Sequence, residues 1–223
     1  MGNLLKKAWQ FIWEENSILS WIVNIALAFV IIKFIVYPGL GFLLATSNPV
    51  VAVVSCSMEH SATNCGQNFP HSICGEHFTE HKSLSEDEYW GICGQWYEQK
   101  NISKEEFSSF SFSSGFSKGD LMILRGKNIE KVDIGDVLVF QGGSLEPIIH
   151  RVVESRESGN QRIIETKGDN NEDQITPENN RLRTDETKIL ENQLIGVAWI
   201  KIPMLGWVKI LFTELLSLII EPR

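Results

Sequence analysis

The stretch Ile18 to Val36, ILSWIVNIALAFVIIKFIV, is broken only by Ser20, Asn24 and Lys33 and runs into Tyr37-Pro38-Gly39, a helix-stopping signal. About 20 such residues at about 1.5 Å each cover the ~30 Å hydrocarbon thickness of a bilayer. The segment is therefore expected to be a retained membrane anchor, because the apolar core of a cleaved leader needs only about 7–15 residues. Lys33 lies near one end of it, where its stem lets the ammonium reach the interface. Lys6 and Lys7 precede the span and favour a cytoplasmic N-terminus, which places everything after Pro38 on the outer face. A second apolar stretch, Ile202 to Ile220, carries Lys209 and Glu214 behind a Pro203-Met204-Leu205-Gly206 turn signal. It reads as a membrane-associated helix, either spanning the bilayer or lying on it.

Between these ends lies the only part able to do chemistry in water. Val50 to Val54, Leu121 to Leu124, Asp136 to Phe140, Ile148 to Val153, Arg162 to Thr166 and Ile195 to Ile200 are short β-branched runs separated by Gly, Asn, Asp and Pro clusters. That rhythm predicts a mainly β domain, with Gly119-Asp120 and Gly135-Asp136 as turns that launch strands. The segment 61–117 is different, being rich in Ser, Glu, Phe, His and Cys. It reads as an insertion with two short helices, one started by Ser85 with Glu88 and one by Ser103 with Glu106. The expected organisation is an anchor over 1–38, a β domain over 39–60 and 118–201, the insertion over 61–117 and a terminal apolar helix over 202–223. With 20 Lys and Arg against 28 Asp and Glu, the net charge of −8 argues against a partner recognised through its phosphates, so no nucleic acid is expected.

Ser57 follows the first apolar strand, and a hydroxyl becomes a nucleophile only when a base within reach removes its proton. His150, in Pro147-Ile148-Ile149-His150-Arg151-Val152-Val153, is the one histidine in the strand-rich part, since His60, His71, His77 and His81 lie in or beside the insertion. Downstream comes Thr166-Lys167-Gly168-Asp169-Asn170-Asn171-Glu172-Asp173, a turn whose carboxylates suit the orienting of an imidazole. Of the cysteines, Cys65, Cys74 and Cys93 sit in the insertion. One disulfide among them, a Cys/His zinc site, and neither of these all remain open, with the disulfide preferred. Cys56, beside Ser57, reads as a spacer whose side chain points to the opposite face of the strand.

Taken in order, Ser55-x-Ser57-Met58, Gly135-Asp136-Val137-Leu138-Val139-Phe140, Ile149-His150-Arg151-Val152 and Thr166-Lys167-Gly168-Asp169-Asn170-Asn171 resemble the type I signal peptidases. The likeness is to the archaeal and endoplasmic-reticulum branch, where a histidine replaces the catalytic lysine of the bacterial enzymes. The resemblance implies a signal peptidase-like coiled β-sheet or barrel and a membrane-bound serine endopeptidase that removes signal peptides from exported preproteins. It implies Ser57 as nucleophile, His150 as general base, Asp169 as the first acidic residue, and Ser55 with the Ser57 backbone N–H as oxyanion donors. Asp173 is the candidate for the second acid, with Glu172 as a substitute. Val51, Val53 and Met58 are expected to line shallow pockets for small substrate side chains. Preproteins, membrane lipid and the Sec translocon are the implied partners, with no cofactor and no metal, and a compact chain of this kind looks archaeal. The family commonly has Pro after Met-Glu, whereas Glu59 is followed here by His60 and the insertion. Two rivals are a membrane-anchored binding module with an inactive site, and a Ser–Lys peptidase using Lys167.

Overall fold

The structure, a computed structural model, describes residues 2–64, 70–144, 146–159 and 161–220, and for 2–5, 7, 8 and 214–220 the backbone alone. The chain divides after Ser47 into two compact units.

The first unit is helical: α1 (Gly2–Trp13), α2 (Ile18–Ile31), a π-helical turn (Ile32–Val36) and α3 (Tyr37–Leu43). Ser17 caps α2, its hydroxyl accepting from the Ser20 N–H at 3.2 Å. The polar interruptions of the apolar run have work on the backbone, since Ser20 Oγ donates to Phe11 O at 2.6 Å and Asn24 Nδ2 to Ile12 O at 2.9 Å. These bonds satisfy carbonyls that the end of α1 leaves without helical partners. The helix does not stop at Tyr37-Pro38-Gly39 but continues, giving one apolar helix, Ile18–Leu43, of 26 residues, with a mean hydropathy of 2.4 over an 18-residue stretch. Proline lacks an N–H and its ring crowds the carbonyl four residues back, so an ordinary α-helix would break there. The π turn immediately before Pro38 widens the ladder, with the Tyr37 N–H reaching Ile32 O, and the helix passes the proline.

The second unit is built on one antiparallel sheet of six strands. These are β1 (Val50–Ala52), β6 (Leu121–Arg125), β7 (Val137–Phe140), β8 (Ile148–Ser158), β9 (Gln161–Lys167) and β10 (Leu194–Ile202). Their order across the sheet is β1-β6-β10-β7-β8-β9. Each of the six β-branched runs supplies one strand, and alternation divides their side chains between two cores. Val137, Val139, Met122, Leu124, Ile149 and Ala198 pack on one face with Val53, Met58 and Phe116. Leu138, Phe140, Val152, Ile164 and Val197 pack on the other with Ile129, Val132 and Ile189. Bulges in β10 at Leu194/Gly196 and Ala198/Ile200, and in β8 at Val152/Glu154, bend and twist the sheet. Gly135, at φ +91°, makes the left-handed turn into β7, and a Cβ there would meet the Phe110 ring at 2.2 Å.

The described part of the segment 61–117 folds as two small two-stranded sheets, of which β3–β4 is a hairpin, and two helices. β2 (Ser61–Ala62) pairs with β5 (Lys82–Ser83), and β3 (His71–Ile73) with β4 (Glu76–Phe78). Helix α4 (Glu86–Gln99) starts with a full capping box between Ser85 and Glu88, and α5 (Lys104–Ser109) is capped by Ser103. Ile73, Tyr89, Cys93, Tyr97, Ile102 and Phe107 make its core, to which β8 contributes Val153. Cys74 and Cys93 are joined by a disulfide, while Cys65 lies outside the described residues. Helix α6 (Trp207–Ile220) ends the described chain, with Ile210 buried and Val208, Leu211 and Phe212 exposed.

Candidate active site

β1 pairs with β6 through Ala52, Val53 adds backbone bonds to Asp120 and Gly119, and the chain then bends through Ser55 to Met58. The bend brings two hydroxyls together, with Ser55 Oγ and Ser57 Oγ 3.1 Å apart. His150 enters from β8, paired across from Leu138 of β7, and its side chain is 96% shielded from solvent. Ser55, Ser57 and His150 line one cavity of about 310 Å³, with Val51, Ala52 and Val54 from the side of Ser57 and Pro147, Ile148 and Ile149 from the side of His150. Asn171 and Ile175 close it from the segment after β9.

The carboxylate at His150 is Glu186, not Asp169 or Asp173. His150 Nδ1 hydrogen-bonds to Glu186 Oε1, which also accepts from Thr166 Oγ1 at 2.8 Å. Glu186 Oε2 accepts from the Ile175 N–H at 2.7 Å, and the side chain is fully buried. Its place follows from backbone pairing. Thr166 N donates to Glu186 O, and Ile164 and Ile189 exchange both bonds, so the segment after the loop runs along β9 like a further strand. A carboxylate accepting at Nδ1 fixes the tautomer that leaves Nε2 as the acceptor.

Asp169 lies on the far side of the loop, engaged with Arg151. Arg151 Nε donates to Oδ1 at 2.9 Å and Nη2 to Oδ2 at 2.7 Å, a bidentate pair with both side chains fully buried. The remaining guanidinium protons reach the carbonyls of Ser111, Gly135 and Phe112, so all five donors are used. His60 brings its Nε2 to within 2.9 Å of Asp169 Oδ2 while its ring stacks on Tyr89 at 3.7 Å. Burial opposes ionisation of Asp169, but Arg151 and His60 together hold it well below the usual carboxylate range. Asp173 accepts from Trp96 Nε1 at 2.9 Å.

The side chains expected on the pocket walls divide. Val51 lines the cavity, whereas Val53 and Met58 are 1% exposed members of the core. Val53 prolongs the ladder beyond β1, its N–H donating to Asp120 O at 2.8 Å and its carbonyl accepting from Gly119 N at 2.9 Å, and it is buried in the same core against which Val51 packs. Met58 instead presents Sδ to the Asp169 N–H at 3.4 Å. Cys56 is no mere spacer, because it is disulfide-bonded. Lys167 is buried, which lowers its pKa to about 8, but it is directed toward the Trp96 and Tyr97 rings and is not among the residues lining the cavity.

The loop joining these parts is Gly168 to Asp173. Because Lys167 pairs with Arg151, Gly168 falls beside His150, and a Cβ at 168 would lie 2.8 Å from His150 Nε2. Asn170 N donates to Ser57 O at 2.8 Å, and its side chain donates to Glu59 O and Ser61 O. Among the described residues no group of three His, Cys, Asp or Glu side chains is placed to hold a metal ion.

No protein-family model matches the chain. It is similar to the signal peptidase complex catalytic subunit SEC11 of Colletotrichum graminicola, with 32% identity over 108 residues, 48% of this chain and 61% of that protein. The same subunit of Yarrowia lipolytica is 32% identical over 108 residues, 48% of this chain and 60% of the relative. That of Verticillium alfalfae is 34% identical over 109 residues, 48% of this chain and 61% of the relative. These relatives are fungal, which overturns the expectation of an archaeal character. The chain spans about three fifths of the length of the curated relatives it matches, and the likeness is to subunits that carry signal peptidase catalysis.

Proposed function

We propose that the chain is a membrane-anchored serine endopeptidase of the signal peptidase family that removes signal peptides from exported preproteins. The observation that carries this reading is the shared cavity. Ser57 and His150 belong to opposite parts of the sheet, yet both line it, with a second hydroxyl beside the first and a carboxylate behind the imidazole.

In this reading His150 Nε2 takes the Ser57 hydroxyl proton as Oγ attacks the scissile carbonyl carbon. Glu186 holds the ring and stabilises the imidazolium that forms. The carbonyl oxygen becomes an oxyanion that the Ser55 hydroxyl and the Ser57 N–H stabilise, each such donor lowering the barrier by about 3 kcal/mol. The intermediate collapses as His150 returns its proton to the leaving amine, and water then releases the leader from Ser57 by the same route. Asp169, held by Arg151, fixes the loop next to the base.

β1 is an edge strand, so an extended leader peptide can add to it by backbone pairing. The apolar walls made by Val51, Ala52 and Val54 and by Pro147 to Ile149 then receive small side chains. The helix Ile18–Leu43 is the anchor, and lipid and the Sec translocon are the surroundings in which preproteins reach the site. The Cys74–Cys93 disulfide and the disulfide at Cys56 support a catalytic unit on an oxidising, non-cytosolic face with the N-terminus in the cytoplasm.

The test is incubation of the purified full chain, in detergent or liposomes, with a preprotein whose leader ends in Ala-x-Ala. Cleavage after the leader by the wild type, absent in Ser57→Ala and His150→Ala, is the expected result. Processing retained in Ser57→Ala would leave an anchored binding module with an inactive site.

A further inference from the structure

We infer that the insertion is a clamp that positions the catalytic loop Gly168 to Asp173, making Tyr89, Tyr97, Trp96 and Cys74 positioning residues for the Ser57–His150 site. The inference rests on the peptidase reading and adds to it a purpose for the segment 61–117.

Three parts of the insertion converge on one short loop. From α4, Tyr89 OH donates to Asp169 O at 2.9 Å, Tyr97 OH to Asp169 Oδ1 at 3.0 Å, and Trp96 Nε1 to Asp173 Oδ1 at 2.9 Å. From the hairpin, Cys74 N donates to Asn170 O at 2.8 Å. Cys74 Sγ sits 3.3 Å from Asp169 O, a contact without a proton because the sulfur is in the disulfide. From the end of the insertion, the Ser111 and Phe112 carbonyls accept from Arg151, which holds the Asp169 carboxylate. The disulfide joins the hairpin to α4, so the groups gripping the loop from the two elements are themselves cross-linked.

The other face of the same loop touches the chemistry. Gly168 packs against His150 Nε2, Asn170 N holds Ser57 O, and Asn171 lines the cavity. The loop opens on Gly168, whose backbone is the least restricted of any residue, and it carries no large apolar side chain of its own to anchor it. Catalytic groups lose rate steeply when displaced by about 1 Å, so the bonds from the insertion are what make the loop a rigid spacer between nucleophile and base.

The experiment uses the full chain in detergent and the variant Tyr89→Phe/Tyr97→Phe, which removes two hydroxyls and keeps both rings in the core. Peptide cleavage is followed alongside amide hydrogen exchange over 168–173. The expected result is a kcat about tenfold lower, KM within about twofold, and exchange in that loop faster by about tenfold, with the melting temperature showing a folded protein. Unchanged kcat in the folded variant, with or without faster exchange, overturns the positioning role while wild-type cleavage keeps the peptidase reading intact. An inert wild type sinks that reading instead, and the exchange then decides whether the insertion holds the loop. Should the double variant fail to fold, Trp96→Phe, which loses one indole N–H at the loop's far end, is held to the same criteria.

Discussion

His150 Nδ1 is hydrogen-bonded to a carboxylate of Glu186, a residue separated from it by 36 positions and reached only after the whole loop that follows β9. Glu186→Gln keeps the size of the side chain but cannot satisfy both its neighbours. With its oxygen toward His150 and Thr166, its amide faces the Ile175 N–H. Loss of the oriented base should lower kcat by about 10²–10⁴-fold with the protein still folded. Peptide cleavage kinetics beside a melting curve check this, and a rate within about threefold of wild type would remove Glu186 from the catalytic group.

Gly168→Ala adds one methyl group where the imidazole and the Asn171 amide already lie 2.8 Å away. Either the ring or the loop must shift, so kcat should fall by about tenfold or more, because near-attack geometry tolerates little displacement. A crystal structure or a kinetic comparison with wild type tests it. An alanine enzyme of normal rate would mean that the ring has room to spare.

Asp169→Asn leaves the fully buried Arg151 guanidinium without its counter-charge, and breaking such a pair costs about 3–5 kcal/mol. The variant is expected to melt early, a consequence of lost stability rather than of a mis-set base. The same pair stabilises the protein above the ordinary carboxylate range, near pH 4, and that contribution disappears as acid protonates Asp169. Wild-type melting followed from pH 7 down to about 3 should show it, and a variant as stable as wild type would contradict the assignment.

Burial lowers Lys167 to about 8, so between about pH 8 and 10 the unfolded chain holds a proton there that the folded chain has released. Stability should therefore rise with pH across that window, by up to about 3 kcal/mol. Above it the trend reverses. Burial and the Asp169 carboxylate push the Tyr89 and Tyr97 phenols well above their usual range, and only the unfolded ones ionise. Thermal melts of wild type and Lys167→Met from about pH 7.5 to 9.5 compare the slopes, and an equal slope in both would place the proton elsewhere.

All six strands of the large sheet were legible because each is a β-branched run bounded by turn residues, and Ser85 announced α4 through its capping box. Ser57 and His150 stood out through their local strings. Glu186 did not, since Arg183 to Lys188 is a polar string in which nothing marks one carboxylate as buried. Its burial depends on the lateral pairing of Ile164 with Ile189, a contact without a sequence period. His60 was hidden for a similar reason, its partner Asp169 lying 109 positions away. Pro38 misled because a π turn is a response to proline that propensity alone does not anticipate.

The sheet order has a bearing on the sequence in which the sheet can be completed. The strand leading to Ser57 belongs to the β1-β6 pair and His150 to the β7-β8-β9 group, and within the sheet β10 alone joins them. Strand-to-strand hydrogen bonding between these two groups waits for residues 194–202, the last strand in chain order, although packing and the bonds of the 168–173 loop also join them. The sheet that carries the strands flanking Ser57 and His150 is therefore complete only when the last of its six strands in chain order has been added.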